Sequence, residues 1–297
     1  MPTPAPRTVA EYVAAGSAYL ARHQVENPQV ACELLASHLF QCGRLELFRH
    51  YPATPAAALV DAWRRGLKRL ADGEPLQYVL GEWDFRQLTL TVDRRALIPR
   101  PETEELVDLV LAKPELWQGT RDDAAALPLL VDVGTGSGCI ALSLAWEKPR
   151  ARYVAIDASA EALELARANA QRCGLADRIE FRQACGCGEF PAGSVAGIVA
   201  NLPYIPTAEI DTLERHIRAH EPHQALDGGP DGLDIVRQVA RDAAMVLRAG
   251  GWLFLEIGDA QGPATHDLLE ELGFLHIKIS ADLAGHTRFA QAQLSAQ

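Results

Sequence analysis

Leu129-Leu130-Val131-Asp132-Val133-Gly134-Thr135-Gly136-Ser137-Gly138 decides the fold of this chain. The first five residues are nearly all apolar and read as a strand. Three glycines at alternate positions follow, and residues 139–147 read as a helix immediately after. Glycine lacks Cβ, so it lets the main chain approach a ligand and take positive φ. The same pattern also serves a plain tight turn between strand and helix, so the surrounding sequence has to arbitrate.

Downstream the signals keep alternating. Strands are expected over 153–156, 179–182, 195–200 and 251–257, and helices over 160–173, 234–247 and near 265–272. This order predicts an α/β fold, a doubly wound, mostly parallel, Rossmann-like sheet with helices on both faces. Ligands in such sheets bind at the carboxyl ends of the strands. Upstream, residues 9–72 read as helices, with Asn27 as a cap before Pro28. Thr89-Leu90-Thr91-Val92 alternates with period two, as a half-buried strand does. A helix over 102–111 follows Pro99-Arg100-Pro101. The expected organisation is a small helical domain over 1–73, a linker with a β-hairpin over 74–98, and a catalytic domain over 99–297.

Composition narrows the partners. Hydrophobic residues make up 48% of 297, enough for a sizeable core and against global disorder. The net charge of -11 argues against a nucleic-acid duplex as the main partner, although Arg64, Arg65, Lys68 and Arg69 can form a local basic face. The six cysteines are scattered and form no disulfide framework. Met1-Pro2-Thr3-Pro4-Ala5-Pro6 carries no apolar signal core. No apolar run reaches the roughly 18 residues of a membrane span. No membrane association and a cytoplasmic setting are expected.

Asp157 ends the second strand of the alternating series, about twenty residues beyond the glycines, where a ribose-binding carboxylate belongs. Its competing use is as a helix cap. Gly-x-Gly-x-Gly is not the Gly-x-Gly-x-x-Gly of dinucleotide enzymes, and no Lys-Ser/Thr follows as in a phosphate-binding loop. A short acidic loop suits a nucleotide cofactor without phosphates, and S-adenosylmethionine is the common one. Asp132 is expected to face its cationic end by Coulomb attraction.

Asn201-Leu202-Pro203-Tyr204 follows the strand over 195–200. The Asn201 side-chain carbonyl and the Leu202 main-chain carbonyl are two acceptors, matching the two hydrogens of a planar NH2 group. Pro203 stiffens the turn, and Tyr204 can lie flat against an amide or a base. An amide nitrogen is a poor nucleophile because its lone pair is delocalised, so fixed orientation matters. A cofactor loop followed by an amino clamp points to methyl transfer to nitrogen.

At these residues the chain resembles the HemK/PrmC family of release-factor glutamine N5-methyltransferases. The resemblance extends over Glu74-Pro75-Leu76-Gln77-Tyr78 and Leu97-Ile98-Pro99-Arg100-Pro101-Glu102-Thr103-Glu104. It continues through Glu221-Pro222, Ala225-Leu226-Asp227-Gly228-Gly229, Asp231-Gly232-Leu233-Asp234 and Glu256-Ile257-Gly258. It implies a class I S-adenosylmethionine-dependent methyltransferase, with peptide chain release factors as protein partners and the glutamine of their Gly-Gly-Gln loop as acceptor. The helical domain would help recognise the release factor. Gly134, Thr135, Gly136, Ser137, Gly138, Asp157, Gly186, Asn201, Arg100 and Thr103 would serve the cofactor. Asn201, Leu202, Pro203 and Tyr204 would hold the glutamine amide. A monomer without direct nucleic-acid contacts is expected.

Two departures stand out. The family usually has Asn-Pro-Pro-Tyr where this chain has Leu202, which keeps the carbonyl and loses some rigidity. Asn-Leu-Pro-Tyr is similar to the loop of ribosomal RNA adenine dimethyltransferases. Where the family places an Asp beside adenine and then a bulky residue, this chain reads Gln183-Ala184-Cys185-Gly186-Cys187. A lost hydrogen bond to a charged group costs about 1.5–3 kcal/mol, one or two orders of magnitude in affinity. Alternative readings are glutamine methylation of a ribosomal protein, adenine-N6 methylation of nucleic acid, and a non-catalytic homologue. No metal ligand set is expected: Cys185 and Cys187 have no second pair at zinc spacing, and His216, His220 and His223 read as a solvated helix face.

Overall fold

The computed structural model describes residues 7–117 and 127–295. The N-terminal stretch read above for a signal segment lies outside the described residues. The chain divides into two compact units. One runs to Gly81 and also takes Arg215–His220; the other comprises Glu82–Glu214 and the chain from Glu221 onward.

The first unit is helical. Helix α1 (Val9–Arg22) starts at a reciprocal cap, in which the Thr8 hydroxyl accepts from Glu11 N–H and the Glu11 carboxylate accepts from Thr8 N–H at 2.7 Å. Helix α2 (Pro28–Phe40) starts differently from expectation. Asn27 occupies the cap position in left-handed backbone and makes no side-chain cap bond, so Pro28, with its preset φ, marks the start. Helices α3 (Ala57–Ala71) and α4 (Leu76–Leu80) complete the unit's N-terminal part. They close over a core of Leu20, Leu35, Leu47, Trp63 and Leu70. Two glycines let helices approach: a Cβ at Gly16 would stand 2.6 Å from the Trp63 ring, and one at Gly66 2.7 Å from Leu35. The basic face on α3 is partly spent internally. Arg69 bonds Glu74 at 2.7 Å and the carbonyls of Tyr78 and Val79, and Arg64 pairs with Asp61.

The second unit opens with an antiparallel hairpin, β1 (Glu82–Phe85) and β2 (Leu88–Thr91). Its apolar residues Phe85, Leu88 and Leu90 join one core with Leu106, Val107 and Val110 of α5 (Pro101–Leu111). The hairpin, placed in a linker by sequence, therefore packs as part of this unit. There follow β3 (Leu129–Val133), α6 (Cys139–Glu147), β4 (Arg152–Asp157), α7 (Ala160–Arg172), β5 (Ile179–Gln183) and β6 (Val195–Asn201). After α8 (Arg215–His220), which groups with the first unit, come α9 (Asp234–Val246), β7 (Leu247–Glu256) and α10 (Gly262–Glu271). Two last strands, β8 (Phe274–Ala281) and β9 (Thr287–Leu294), were not anticipated.

The seven strands run in the order β5-β4-β3-β6-β7-β9-β8. The pairs from β5 to β7 are parallel, and β9 is antiparallel to both β7 and β8. Strand parity splits the core in two. Val131, Ile156, Ile198 and Leu255 face the side of α9 and α10, whereas Leu130, Ala155, Val199 and Phe254 face the side of α5, α6 and α7. All five residues of β3 are buried, as its near-continuous apolar run requires. The chain builds β3, β4 and β5 outward, then returns to place β6 on the other flank of β3. The carboxyl ends of β3 and β6 thus form the topological switch point, where such sheets bind ligands. Among the described residues no helix is long and apolar enough to cross a membrane.

Candidate active site

A cavity of about 290 Å³ opens at that switch point. Its walls come from residues 95–100 and Thr103, the loop after β3, the end of β4 with Ala158 and Ser159, and Ala184 and Cys185 after β5. Asn201 to Pro203, residues 222 and 224–225, and Ile235 and Gln238 of α9 close it.

The loop after β3 is shaped by main chain. Gly134, Gly136 and Gly138 all have positive φ (75°, 55° and 86°), which other residues adopt only under strain. The N–H groups of Gly134 and Thr135 donate to the Ile156 carbonyl of β4, pinning the loop to its neighbour. Gly136 N–H donates to Asp157 Oδ2 at 2.9 Å, and Ser159 N–H donates to Asp157 Oδ1 at 2.9 Å. Asp157 is not the helix cap, because Ser159 caps α7 through its hydroxyl. Burial raises the Asp157 carboxyl, while main-chain N–H bonds from Ser159, Gly136 and Ala158 pull it down. Each oxygen keeps a lone pair for a ligand hydroxyl.

Asp132 does not face the cavity, contrary to expectation. It is buried on the α6 side of the sheet, and its Oδ2 accepts from the Thr135 hydroxyl at 2.6 Å and from Ala141 N–H at 3.1 Å. It therefore ties the loop to the start of α6. Desolvation pushes its carboxyl up to about 7, and among the described residues buried Oδ1 has no hydrogen-bond partner.

The loop after β6 presents acceptors. Asn201 Nδ2 donates to Thr103 Oγ1 at 2.9 Å, and Thr103 Oγ1 donates to Glu256 Oε2 at 2.8 Å. Among the described residues no donor reaches Asn201 Oδ1 or the Leu202 carbonyl. The Leu202 side chain is buried and packs on the glycine loop; a Cβ at Gly134 would lie 3.3 Å from its Cδ2. Behind the turn sits the Asp-Gly-Gly-Pro-Asp-Gly segment. Ile205 N–H donates to the Leu226 carbonyl and Gly228 N–H to the Ile205 carbonyl. A Cβ at Gly228 would stand 2.6 Å from the Pro203 carbonyl oxygen, and one at Gly232 2.2 Å from that of Tyr204. Gln261 adds a bond from Nε2 to the Tyr204 carbonyl at 2.8 Å.

Three residues expected at the site lie off the cavity wall. Gly138 serves as the cap residue of α6. Tyr204 is held from behind, its hydroxyl accepting from Arg288 Nη1 at 3.4 Å, and burial pushes that hydroxyl up to about 12. Gly186 faces α9, where a Cβ would stand 2.4 Å from Asp242 Oδ2. Asp242 also accepts from the N–H groups of Cys187 and Gly188, so it shapes this loop from behind. The wall at that end is instead Ala184, Cys185, Ile235 and Gln238. Arg100 does line the cavity and pairs with buried Glu221 at 2.6 Å. Glu256, Gln261 and Gln238 had no assigned part in the sequence reading; only Glu256 belonged to a quoted motif. Among the described residues no cluster of three or more His, Cys, Asp or Glu is placed to hold a metal.

Comparison with known proteins adds independent findings. Residues 11–81 match the PrmC N-terminal domain model, and residues 130–222 a methyltransferase domain model. The release factor glutamine methyltransferase of Thermosynechococcus vestitus is 41% identical over 246 residues, 80% of each chain. That of Moorella thermoacetica is 40% identical, covering 91% of this chain and 92% of its own. That of Chlorobaculum tepidum is 36% identical over 93% of both. Among solved structures, the catalytic domain of hMettl16 in complex with a MAT2A 3'UTR hairpin aligns over 80% of this chain and 82% of its own, with a TM-score of 0.53 at 16% identity. A methyltransferase from Pyrococcus furiosus aligns over 71% of this chain and 91% of its own, with a TM-score of 0.50 at 16% identity. The larger unit thus has the class I methyltransferase fold, which implies use of S-adenosylmethionine, and the chain belongs to the release factor glutamine methyltransferase family.

Proposed function

We propose that this chain transfers a methyl group from S-adenosylmethionine to the side-chain amide nitrogen (N5) of the glutamine in the Gly-Gly-Gln loop of peptide chain release factors. The observation that carries this reading is the pair of open acceptors, Asn201 Oδ1 and the Leu202 carbonyl, beside the glycine loop in one cavity. The relatives' names supply the protein substrate.

The wall chemistry fits the cofactor. Gly134 to Ser137 offer main chain without bulky cover, and Asp157 offers a carboxylate for a ribose diol. Arg100 and Thr103 stand nearer Asn201, and Ala184, Cys185 and Ile235 supply a small apolar surface for the base. When bound, S-adenosylmethionine supplies an electrophilic methyl on a positively charged sulfur. The chain's own part is orientation. Asn201 Oδ1 and the Leu202 carbonyl each accept a hydrogen bond from one N–H of the glutamine NH2, turning the nitrogen's face toward the cofactor side of the cavity; as the nitrogen gains the methyl group it gives up one of its two protons to water. Pro203 fixes the turn, and Tyr204 with Arg288 backs it.

Residues 1–73 serve as the release-factor recognition domain, 74–98 as the connecting region, whose hairpin packs on the catalytic core, and 99–297 as the catalytic domain in this reading. The protein acts as a cytoplasmic monomer. The test is methyl incorporation from labelled S-adenosylmethionine into a purified cognate release factor, beside a variant with the loop glutamine replaced. Incorporation that vanishes in the variant supports both chemistry and acceptor. Cofactor binding without incorporation overturns the acceptor, and absence of cofactor binding overturns the enzyme reading.

A further inference from the structure

Asn201 and Glu256 lie opposite one another in register on neighbouring parallel strands, and Thr103 of α5 stands between their side chains. Thr103 and Glu256 are each only 2% exposed. A hydroxyl has one proton to give. With that proton directed to the Glu256 carboxylate, Thr103 Oγ1 can only accept from Asn201, so the Asn201 amide must turn its NH2 to Thr103 and its carbonyl oxygen to the cavity.

We propose that Thr103 and Glu256 act as a positioning relay that sets the polarity of Asn201 and so makes it an acceptor for the substrate amide. The proposal rests on the reading of Asn201 as part of an amide clamp. Protonation of Glu256 reverses the relay. The acid O–H then donates to Thr103 Oγ1, the Thr103 hydroxyl turns to Asn201, and Asn201 answers with Oδ1. Its NH2 now faces the cavity, donor against the donors of the substrate. Other groups bearing on Glu256 are Arg288 of β9, Arg100 and Glu102 at the start of α5, Tyr204 after β6 and Cys139 of α6. Burial outweighs the Thr103 hydrogen bond and the two arginines and pushes the carboxyl up to about 7, so the switch falls within an accessible range.

The experiment is a pH profile of single-turnover methyl transfer to a release factor, with cofactor affinity measured in parallel, for the wild type, Glu256→Gln, Thr103→Val and Thr103→Ser. In the wild type the rate falls about tenfold per pH unit below about 7, while cofactor affinity stays within about twofold. Glu256→Gln loses this acid limb. Thr103→Val loses rate at every pH and also loses the limb; Thr103→Ser recovers both. A flat wild-type profile between about pH 6 and 8, or an acid limb that persists in Glu256→Gln, overturns the relay with the clamp intact. Absence of transfer by the wild type at any pH, with cofactor bound, overturns the clamp reading and the relay with it.

Discussion

The loops after β3 and β6 sit side by side at the ends of two paired strands, yet they are built on opposite principles. The Gly134–Gly138 loop is main chain made bare, with positive φ at three residues and an N–H donated to Asp157. The Asn201–Tyr204 loop presents carbonyl oxygens, and a buried polar relay and a glycine-rich segment brace it from behind. One offers donors and close approach; the other offers acceptors in fixed positions. The difference suits a cofactor that must be grasped along its length and an NH2 group that must be held at one atom.

If the two loops have separate tasks, damage to each should read out separately. Asn201→Ala should lower the transfer rate by about a hundredfold or more, the scale of losing one positioned hydrogen-bonding group in an active site. Cofactor affinity, followed by titration calorimetry, should stay within about twofold; an equal loss of both would break the division. Asp157→Ala should do the reverse. It should weaken cofactor binding by about one to two orders of magnitude and spare the rate at saturation. Unchanged affinity would remove Asp157 from the ribose. Gly232→Ala tests the brace. Its φ of 76° and the 2.2 Å approach to the Tyr204 carbonyl predict a loss of about 1–3 kcal/mol in denaturant-measured stability, with transfer impaired more than cofactor binding.

The smallest effect concerns Asp132 beneath the glycine loop. Its folded-state carboxyl lies near 7, well above its ordinary value, so its contribution is complete at acid pH and is lost as pH rises through about 7. Asp132→Asn should flatten unfolding free energy against pH, by about 1 kcal/mol between about pH 6 and 8. A slope unchanged from wild type would mean that Asp132 ionises no differently in the folded and unfolded chain.

The parallel part of the sheet was readable because β3, β4, β6 and β7 are short apolar runs separated by helical periods, and the expected ends fall within a few residues. The two C-terminal strands were not. Ala290-Gln291-Ala292-Gln293 in β9 has small and polar side chains that carry no strand preference of their own, and pairing with β7 decides their conformation. At the site, residues whose role is carried by main chain were the most legible, since glycine and proline leave a direct mark in sequence. Asp132 misled because a carboxylate beside a ligand loop and one that ties the loop to a helix look identical in sequence; strand parity separates them. Gly186 was read as a cofactor residue, and its smallness answers to Asp242, 56 residues further on. Glu256 lay within a recognised run, but only the register of β6 and β7 brings it opposite Asn201.

The pairing of β3 with β6 has a further consequence. Both loops hang from the innermost strands of the sheet, buried on both faces, and each strand continues directly into its loop. Neither lies at an edge of the sheet, as β5 and β8 do. Opening the framework of the site therefore requires opening the centre of the unit, and its strand amides should exchange with solvent only at the free energy of global unfolding. The catalytic framework and the folded state then share a single fate.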